Sequence, residues 1–387
     1  MLVFAGDLHA SETIYSSYPS MRGDSEFALE QLTAFCRSQP VTTPLVLLGD
    51  NFDKQHPPAE TVGWVLQKLR GLHVVYIVGQ HDRQYGDFQW LDLAKHCSAS
   101  VTHLSGDSVA PYTAADGVSL WGFDNLPRDQ AEATMSRAPI CDIVCVHQLF
   151  PQAMGLEGAW TFDPAWVKQS KLLLAGDYHG NPDSGVTGDV NWFYTGSSSM
   201  RSISEPTLKS FITVEKSKGT LSVSRRKLVT RPFIGFAVTT RDSLLTFCDQ
   251  LPDRIAKLID GLKSISGTFD TYGVKVPDSL CAPFIALKFS TSVPEVPAEV
   301  KRAISPLIAK NRVHLHMMPM HDRASSGDLP RAAVGINTQD VIDTFVDKTV
   351  SPNLHEFVSN LAGARQPNDY LLSFRNVNDI PDASSLG

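Results

Sequence analysis

Leu45-Val46-Leu47-Leu48-Gly49-Asp50-Asn51-Phe52-Asp53 is the stretch that settles how this chain folds. Four consecutive apolar residues predict a buried strand. Gly49 lets the backbone turn where a side chain would collide, and Asp50 puts a carboxylate at the strand's carboxyl end. That end is where an open α/β sheet collects its chemistry.

Four further stretches repeat the plan with different donors. Val3-Phe4-Ala5-Gly6-Asp7-Leu8-His9 carries a carboxylate and an imidazole, and His73-Val74-Val75-Tyr76-Ile77-Val78-Gly79-Gln80-His81-Asp82 an amide and an imidazole. Lys171-Leu172-Leu173-Leu174-Ala175-Gly176-Asp177-Tyr178-His179-Gly180 again offers carboxylate and imidazole, and Ile143-Val144-Cys145-Val146 ends on His147. Taken singly, a strand-end aspartate reads as a turn or cap residue and a buried histidine as a hydrogen-bonded core residue. Five such ends together predict a metal cluster.

Aspartate and histidine in close alternation suit manganese, with magnesium or iron as alternatives, and a carboxylate can bridge two such ions. Paired divalent ions roughly 3.5 to 4 Å apart turn bound water into hydroxide and hold a phosphate oxygen for in-line displacement, so the reaction predicted is phosphoester hydrolysis. The assignment places Asp7, His9 and His179 on one metal, Gln80, His147 and Asp177 on the other, and Asp50 between them. His81 is assigned to stabilise charge at phosphorus and to help the leaving oxygen take a proton, with Asp82 orienting it.

With 387 residues and 42% hydrophobic content, the chain can bury a sizeable core in two or three domains. No apolar run approaches the roughly 18 residues of a membrane span, and Met1-Leu2-Val3-Phe4 passes into a strand without a signal peptide's basic head. The six cysteines show no CxxC spacing and read as reduced thiols, so the expectation is a cytoplasmic protein with no membrane segment. A net charge of -7 neither supports nor excludes DNA as a partner.

Between the donor strands the periodicity predicts helices. One opens at Asp24 as N-cap, with Ala28, Leu32, Phe35 and Cys36 on one face. Another follows Pro57-Pro58, with Val62, Val65, Leu66 and Leu69 at helical spacing and Gly71 as its stop. Strand, helix, strand at this spacing means a right-handed parallel crossover. Short strands are expected over 101–104, 109–112 and 118–123 and a helix over 128–137. Strands at 191–194, 209–214 and 220–224 read as an antiparallel sheet. The fold class predicted is layered α/β over 1–230, followed by a small α+β cap domain over 231–322 with strands near 235–240 and 284–289 and helices at 241–259 and 297–304. A linker and C-terminal helices fill 323–387, one bearing Val341, Ile342, Phe345 and Val346, the other Leu354, Phe357, Val358 and Leu361.

GDLH, GDNFD, GQHD, the lone His147 and GDYHG, in this order, resemble the calcineurin-like metallophosphoesterases, whose usual pattern is DxH, GDxxD, GNHD/E, H and GHxH. The resemblance implies a β-sandwich flanked by helices. More narrowly, His56-Pro57-Pro58 after GDNFD, the Gly196-to-Pro206 segment, Lys209-Ser210-Phe211 and Arg231-Pro232-Phe233 are similar to the nuclease subunit of the SbcCD type, a double-strand-break repair exonuclease working with an SMC-like ATPase. That likeness implies a DNA exonuclease, with endonuclease activity as an extension, forming a homodimer and binding the ATPase through its C-terminal helices. Two positions depart from the pattern. Gln80 stands where the family has asparagine, and Asp177 where it has the first histidine of GHxH.

Residues 201 to 231 contain eight Lys/Arg, among them Arg201, Arg225, Arg226 and Lys227, which read either as a DNA-backbone contact or as a solvated strand face. His314 and His316, with His321 beyond, read as alternation along a strand rather than as a further metal site, and His56 as a loop residue. Two rival readings stand beside the nuclease: a phosphodiesterase of small substrates, and a catalytically weak DNA-end-binding scaffold.

Overall fold

Strands apolar on both faces must be covered on both, and this chain meets that demand by stacking two sheets with helices outside. The computed structural model describes residues 1–12, 22–83, 88–154, 160–180, 184–201, 205, 208–238, 241–265, 271–290, 302, 305–306 and 314–320. The first sheet runs β12-β11-β1-β2-β3-β4, from β1 (Leu2–Ala5), β2 (Pro44–Leu48), β3 (His73–Ile77), β4 (Ser100–His103), β11 (Lys209–Ser217) and β12 (Thr220–Leu228). The second runs β5-β6-β7-β8-β10-β9, from β5 (Tyr112–Thr113), β6 (Ser119–Phe123), β7 (Ile143–His147), β8 (Leu172–Gly176), β9 (Ser184–Thr187) and β10 (Val190–Tyr194). β1 to β4 are mutually parallel, as are β6, β7, β8 and β10. The donor-bearing carboxyl ends therefore meet at one edge of the sandwich.

Leu2, Phe4, Val46, Leu48, Ile143, Cys145, Leu172 and Leu174 fill the space between the sheets. The opposite faces of β1 and β2 pack on α1 (Asp24–Arg37) and α2 (Ala59–Leu69) through Leu32, Phe35, Val62, Val65 and Leu69. The second sheet is covered by α3 (Arg128–Met135) and the aromatic group Phe150, Phe162 and Trp192, with α4 (Pro151–Met154) following β7. Full burial of each large apolar side chain contributes about 1.5 to 3 kcal/mol, which fixes the layer order far more firmly than any loop.

Two local expectations are corrected. β10 does not join an antiparallel sheet with β11 and β12; it pairs parallel to β8 in the second sheet, and the chain crosses to the first sheet only afterwards, where Gly6 bridges Ser197. The reason is the hairpin partner β9, which pairs antiparallel with β10 and takes the edge of the second sheet. Asp24 is not an N-cap either. Gly23 (φ 84°) holds that position, and the Asp24 carboxylate accepts from Arg231, Nε at 3.0 Å and Nη2 at 2.8 Å.

That buried pair ties the first helix to the segment around residues 279–282, because Arg231 Nη1 also donates to the carbonyls of Ser279 and Ala282. Beyond residue 231 lies a parallel sheet of β13 (Phe233–Val238), β14 (Phe284–Ser290) and β15 (His314–Met320), with α5 (Arg241–Ile265). By internal contacts the chain divides at residue 321, into Met1–His321 and Asp322–Gly387. The expected C-terminal helices, most of the 297–304 helix and His321 lie outside the described residues. Among the described residues no helix is long and apolar enough to cross a membrane, and Cys36, Cys97, Cys141, Cys145 and Cys281 are free thiols.

Candidate metal centre

The backbone at the strand ends is bent into a conformation that L-residues seldom adopt. Asp7, His9, Asp50 and Asp177 all have positive φ, at 48°, 44°, 49° and 86°. Each such residue costs of order 1 to 3 kcal/mol, and such strain persists where the surroundings over-determine it. Here they do: the Asp7 and His9 amides donate to the Gly49 and Asp50 carbonyls at 3.1 and 2.8 Å, lacing the first loop to the second. Two glycines make room. A Cβ on Gly79 would stand 2.1 Å from Asp50 Oδ1, and one on Gly49 2.4 Å from His147 Nδ1.

The donors converge. Asp7, His9, Asp50 and His179 each present a ligand atom such that all lie within 4.8 Å of one another. His147 Nε2 stands 3.5 Å from Asp50 Oδ1, 3.8 Å from Asp177 Oδ1 and 4.0 Å from Asp7 Oδ1. His179 Nε2 lies 3.2 Å from Asp7 Oδ1 and 3.1 Å from His9 Nε2. Gln80 Nε2 donates to Asp177 Oδ1 at 2.8 Å, so the two residues that depart from the family pattern touch each other.

Two rings have their orientation set from behind. His147 Nδ1 lies 2.6 Å from the Leu48 carbonyl and donates to it, which turns Nε2 toward the carboxylates. His179 Nδ1 lies 3.2 Å from Glu205 Oε1, and Glu205 is itself held by Lys209 Nζ at 2.7 Å and Ser197 Oγ at 3.0 Å. Glu205 and Asp53 are the site residues to which the sequence reading gave no role. The signals for Glu205 were its place in the Gly196-to-Pro206 segment and its spacing of four before Lys209, a pair that the fold buries.

Electrostatics mark the cluster as built for a cation. Burial opposes charge on His147, yet Asp50, Asp7 and Asp177 push its pKa up to about 10. Burial likewise opposes charge on His179, and Asp7 and Glu205 override it, again to about 10. Burial would raise Asp50, but the neighbouring His147 holds it well below the usual carboxylate range. Even so, His147 Nε2 and Asp50 Oδ2 are buried without a hydrogen-bond partner among the described residues. Orphaned polar atoms of this kind are costly unless something binds them. Carboxylate oxygens and imidazole nitrogens that have no other partner fit divalent ions of the manganese, iron or magnesium kind.

The remaining predicted residues divide. His81 sits at the rim, its side chain 41% exposed and Nε2 3.9 Å from Asp50 Oδ2. Its Nδ1 donates to the Asp53 carbonyl at 2.9 Å, so Asp53, rather than Asp82, sets the ring. The Asp82 carboxylate instead takes the amides of Asn51, Phe52 and Gly79 at 2.9, 2.7 and 3.2 Å, binding the second and third donor loops together. Burial, then the Asp50 charge, raises its pKa to about 6.

Among the basic residues, Arg201 is in the site, with its guanidinium on His9 Nδ1 and on the Asp53 carboxylate. Arg225 lies elsewhere, donating to the Tyr194 and Thr195 carbonyls and to Ser210, and Arg226 lies over the Phe35 ring at 5.9 Å. Lys227 and His56 are exposed.

No family model matches the chain. In sequence it is similar to the DNA double-strand break repair protein Mre11 of Haloferax volcanii, 28% identical over 245 residues, covering 60% of this chain and 53% of that protein. It is also similar to the protein of the same name from Methanosarcina acetivorans, 27% identical over 209 residues, covering 49% of this chain and 33% of that one. The chain thus spans about half the length of the first relative and a third of the second. Among solved structures, a Vps29 single mutant from Entamoeba histolytica aligns with a TM-score of 0.25 at 11% identity, over 59% of this chain and 99% of that one. The two sheets with flanking helices and the Asp/His cluster agree with the metallophosphoesterase superfamily that the motifs resemble, and the similarity to the two Mre11 proteins supports it.

Proposed function

We propose that this chain is a metal-dependent phosphodiesterase of DNA, a two-metal exonuclease with endonuclease activity as an extension, acting in double-strand-break repair. The observation that carries the reading is the convergence of Asp7, His9, Asp50, His147, Asp177 and His179 from separate strand ends, with buried donor atoms that none of the described residues satisfies. The printed names of the two relatives, both double-strand break repair proteins, support DNA as the substrate.

Asp7, His9 and His179 would hold one ion, Gln80, His147 and Asp177 the other, with Asp50 shared, and manganese is the metal favoured. Bound there, the ions would supply an acidified water and a Lewis-acid contact to a phosphate oxygen. The protein's own part is orientation. The Leu48 carbonyl and Glu205 fix the His147 and His179 rings, and the Asp53 carbonyl leaves His81 Nε2 facing the rim, where its proton can pass to the leaving oxygen. Asp82 contributes by fixing the loops on either side.

In this reading residues 1–230 form the nuclease domain, 231–322 a cap that guides DNA, and 323–387 a segment that binds an SMC-like ATPase, in a cytoplasmic homodimer. The basic residues Arg225, Arg226 and Lys227 line the outer strand β12, where a DNA backbone could run. The test is manganese-dependent release of nucleotides from end-labelled linear DNA, with and without the ATPase, beside turnover of a small aryl phosphodiester. The proposal expects DNA degradation that His81→Ala lowers sharply. Turnover of the small diester alone, or activity indifferent to His81, would contradict it.

A further inference from the structure

Building on the phosphodiesterase reading, we propose that Arg201 is the phosphate clamp of this site: Asp53 and His9 hold its guanidinium at the rim of the cluster, from which it grips a non-bridging oxygen of the incoming diester. Four observations lead there. The first is position. Of the eight Lys/Arg between 201 and 231, Arg201 lays its guanidinium on a candidate ligand, His9, whereas Lys209, Lys216, Arg225 and Arg231 are each paired with a group that is not one. Lys209 holds Glu205, Lys216 pairs with Asp142, Arg225 donates to β10 carbonyls, and Arg231 is locked on Asp24.

The second is charge. Asp7, Asp50, Asp53 and Asp177 crowd one small volume, and a phosphodiester anion approaching them is repelled unless cations stand ready. A guanidinium fixed at that place answers the repulsion from the protein's side. The third is shape. A planar fork of N–H donors matches two oxygens on one centre, and here its two ends are parted between His9 Nδ1, which faces Nη1, and a single Asp53 oxygen, which faces Nη2. Asp53 and His9 thus hold the fork spread at the rim.

The fourth is reach combined with anchorage. The Arg201 side chain is 25% exposed, open to an arriving ligand, while its backbone amide donates to Glu205 Oε2 at 3.2 Å, the same carboxylate that faces His179. The clamp and one metal ligand are therefore set by a common support, which keeps the guanidinium in register with the ions.

The test is steady-state hydrolysis of bis(p-nitrophenyl) phosphate by the full chain with manganese, comparing wild type, Arg201→Ala and Arg201→Lys, with manganese affinity of each measured by calorimetry. Removing a charge-assisted contact to phosphate should raise KM about 10- to 100-fold in Arg201→Ala, with manganese affinity unchanged. Arg201→Lys keeps the charge without the fork and should fall between. If Arg201→Ala does not fold, a raised KM in Arg201→Lys with intact metal affinity supports the clamp. An unchanged KM overturns it, and so does a loss of manganese affinity that parallels the loss of activity, because Arg201 would then serve His9 rather than substrate. If the wild type turns over neither this diester nor DNA, the phosphodiesterase reading fails. The clamp is then judged by inorganic phosphate binding to manganese-loaded protein: weaker binding in Arg201→Ala retains it, and equal binding ends it.

Discussion

His179 leans on a group that lies beyond the cluster, whereas Asp177 and Gln80 lean on each other. Behind His179 stands Glu205, fixed by Lys209 and Ser197, while Arg201, resting on His9 and Asp53, faces the rim where substrate would arrive. On the other side, the Gln80 amide donates to Asp177, and the Asp177 backbone amide donates to Asp7 at 3.0 Å. The first half thus has an outer shell that can tune it. The second half is held by its own ligands and by one backbone group, the Leu48 carbonyl behind His147, and Asp177 brings a charged oxygen where the pattern its motif resembles has a neutral nitrogen. Metal affinity in the first half should answer to substitution of Glu205, and in the second only to substitutions of the donors themselves.

The largest expected effect comes from the residue the halves share. Asp50→Asn removes the charge between them and should abolish manganese-dependent turnover while the protein stays folded, as circular dichroism would verify. Retained turnover would show that the halves are not joined through Asp50.

Next in size is pH. His147 and His179 have pKa values raised from 6.5 to about 10 in the metal-free protein, so both are protonated near neutrality. Their contribution to stability is fully present below about pH 6.5 and is lost as pH rises toward 10. Metal binding runs the opposite way, because each ring must release its proton to ligate. Manganese affinity should therefore climb between pH 6 and 9 by up to about tenfold per unit for each proton released. Calorimetry in buffers of different ionisation enthalpy would count those protons, and none released would contradict the assignment of both rings.

Smaller is the outer-shell effect. Glu205→Gln should weaken one of two manganese binding events by about 10- to 100-fold and leave the other in place, since an outer-shell partner of a ligating histidine typically carries that much. Equal weakening of both events would mean that the two halves share one support. Smallest is Gln80→Asn, which withdraws the amide by one methylene from Asp177. We expect less than about a tenfold change in manganese affinity, confined to the second event, since a single hydrogen bond contributes about 1 kcal/mol net.

The same contrast explains what could be read from the sequence. Asp7, Asp50, His147, Asp177 and His179 were legible because each ends an apolar strand or lies within three residues of its end, and parallel strands deliver their ends to one edge. The parallel core of both sheets was legible for the same reason. The supports were not, since Glu205, Asp53 and Arg201 act through contacts across loops that no local spacing encodes. Arg201 looked like one more member of a basic run until the chain's crossing near Ser197 brought it to His9. Asp24 suggested a cap because aspartate at a helix start usually is one. Its real partner, Arg231, lies 207 residues away. β10 was misplaced because strand periodicity gives the faces of a strand and is silent on which sheet it joins.

The central claim is that these donors hold two ions as one unit. Electron paramagnetic resonance of the protein with two equivalents of manganese tests it most directly. The account predicts an exchange-coupled signal that Asp50→Asn converts to that of isolated ions. A full-intensity free-manganese spectrum in the unmutated protein would contradict it.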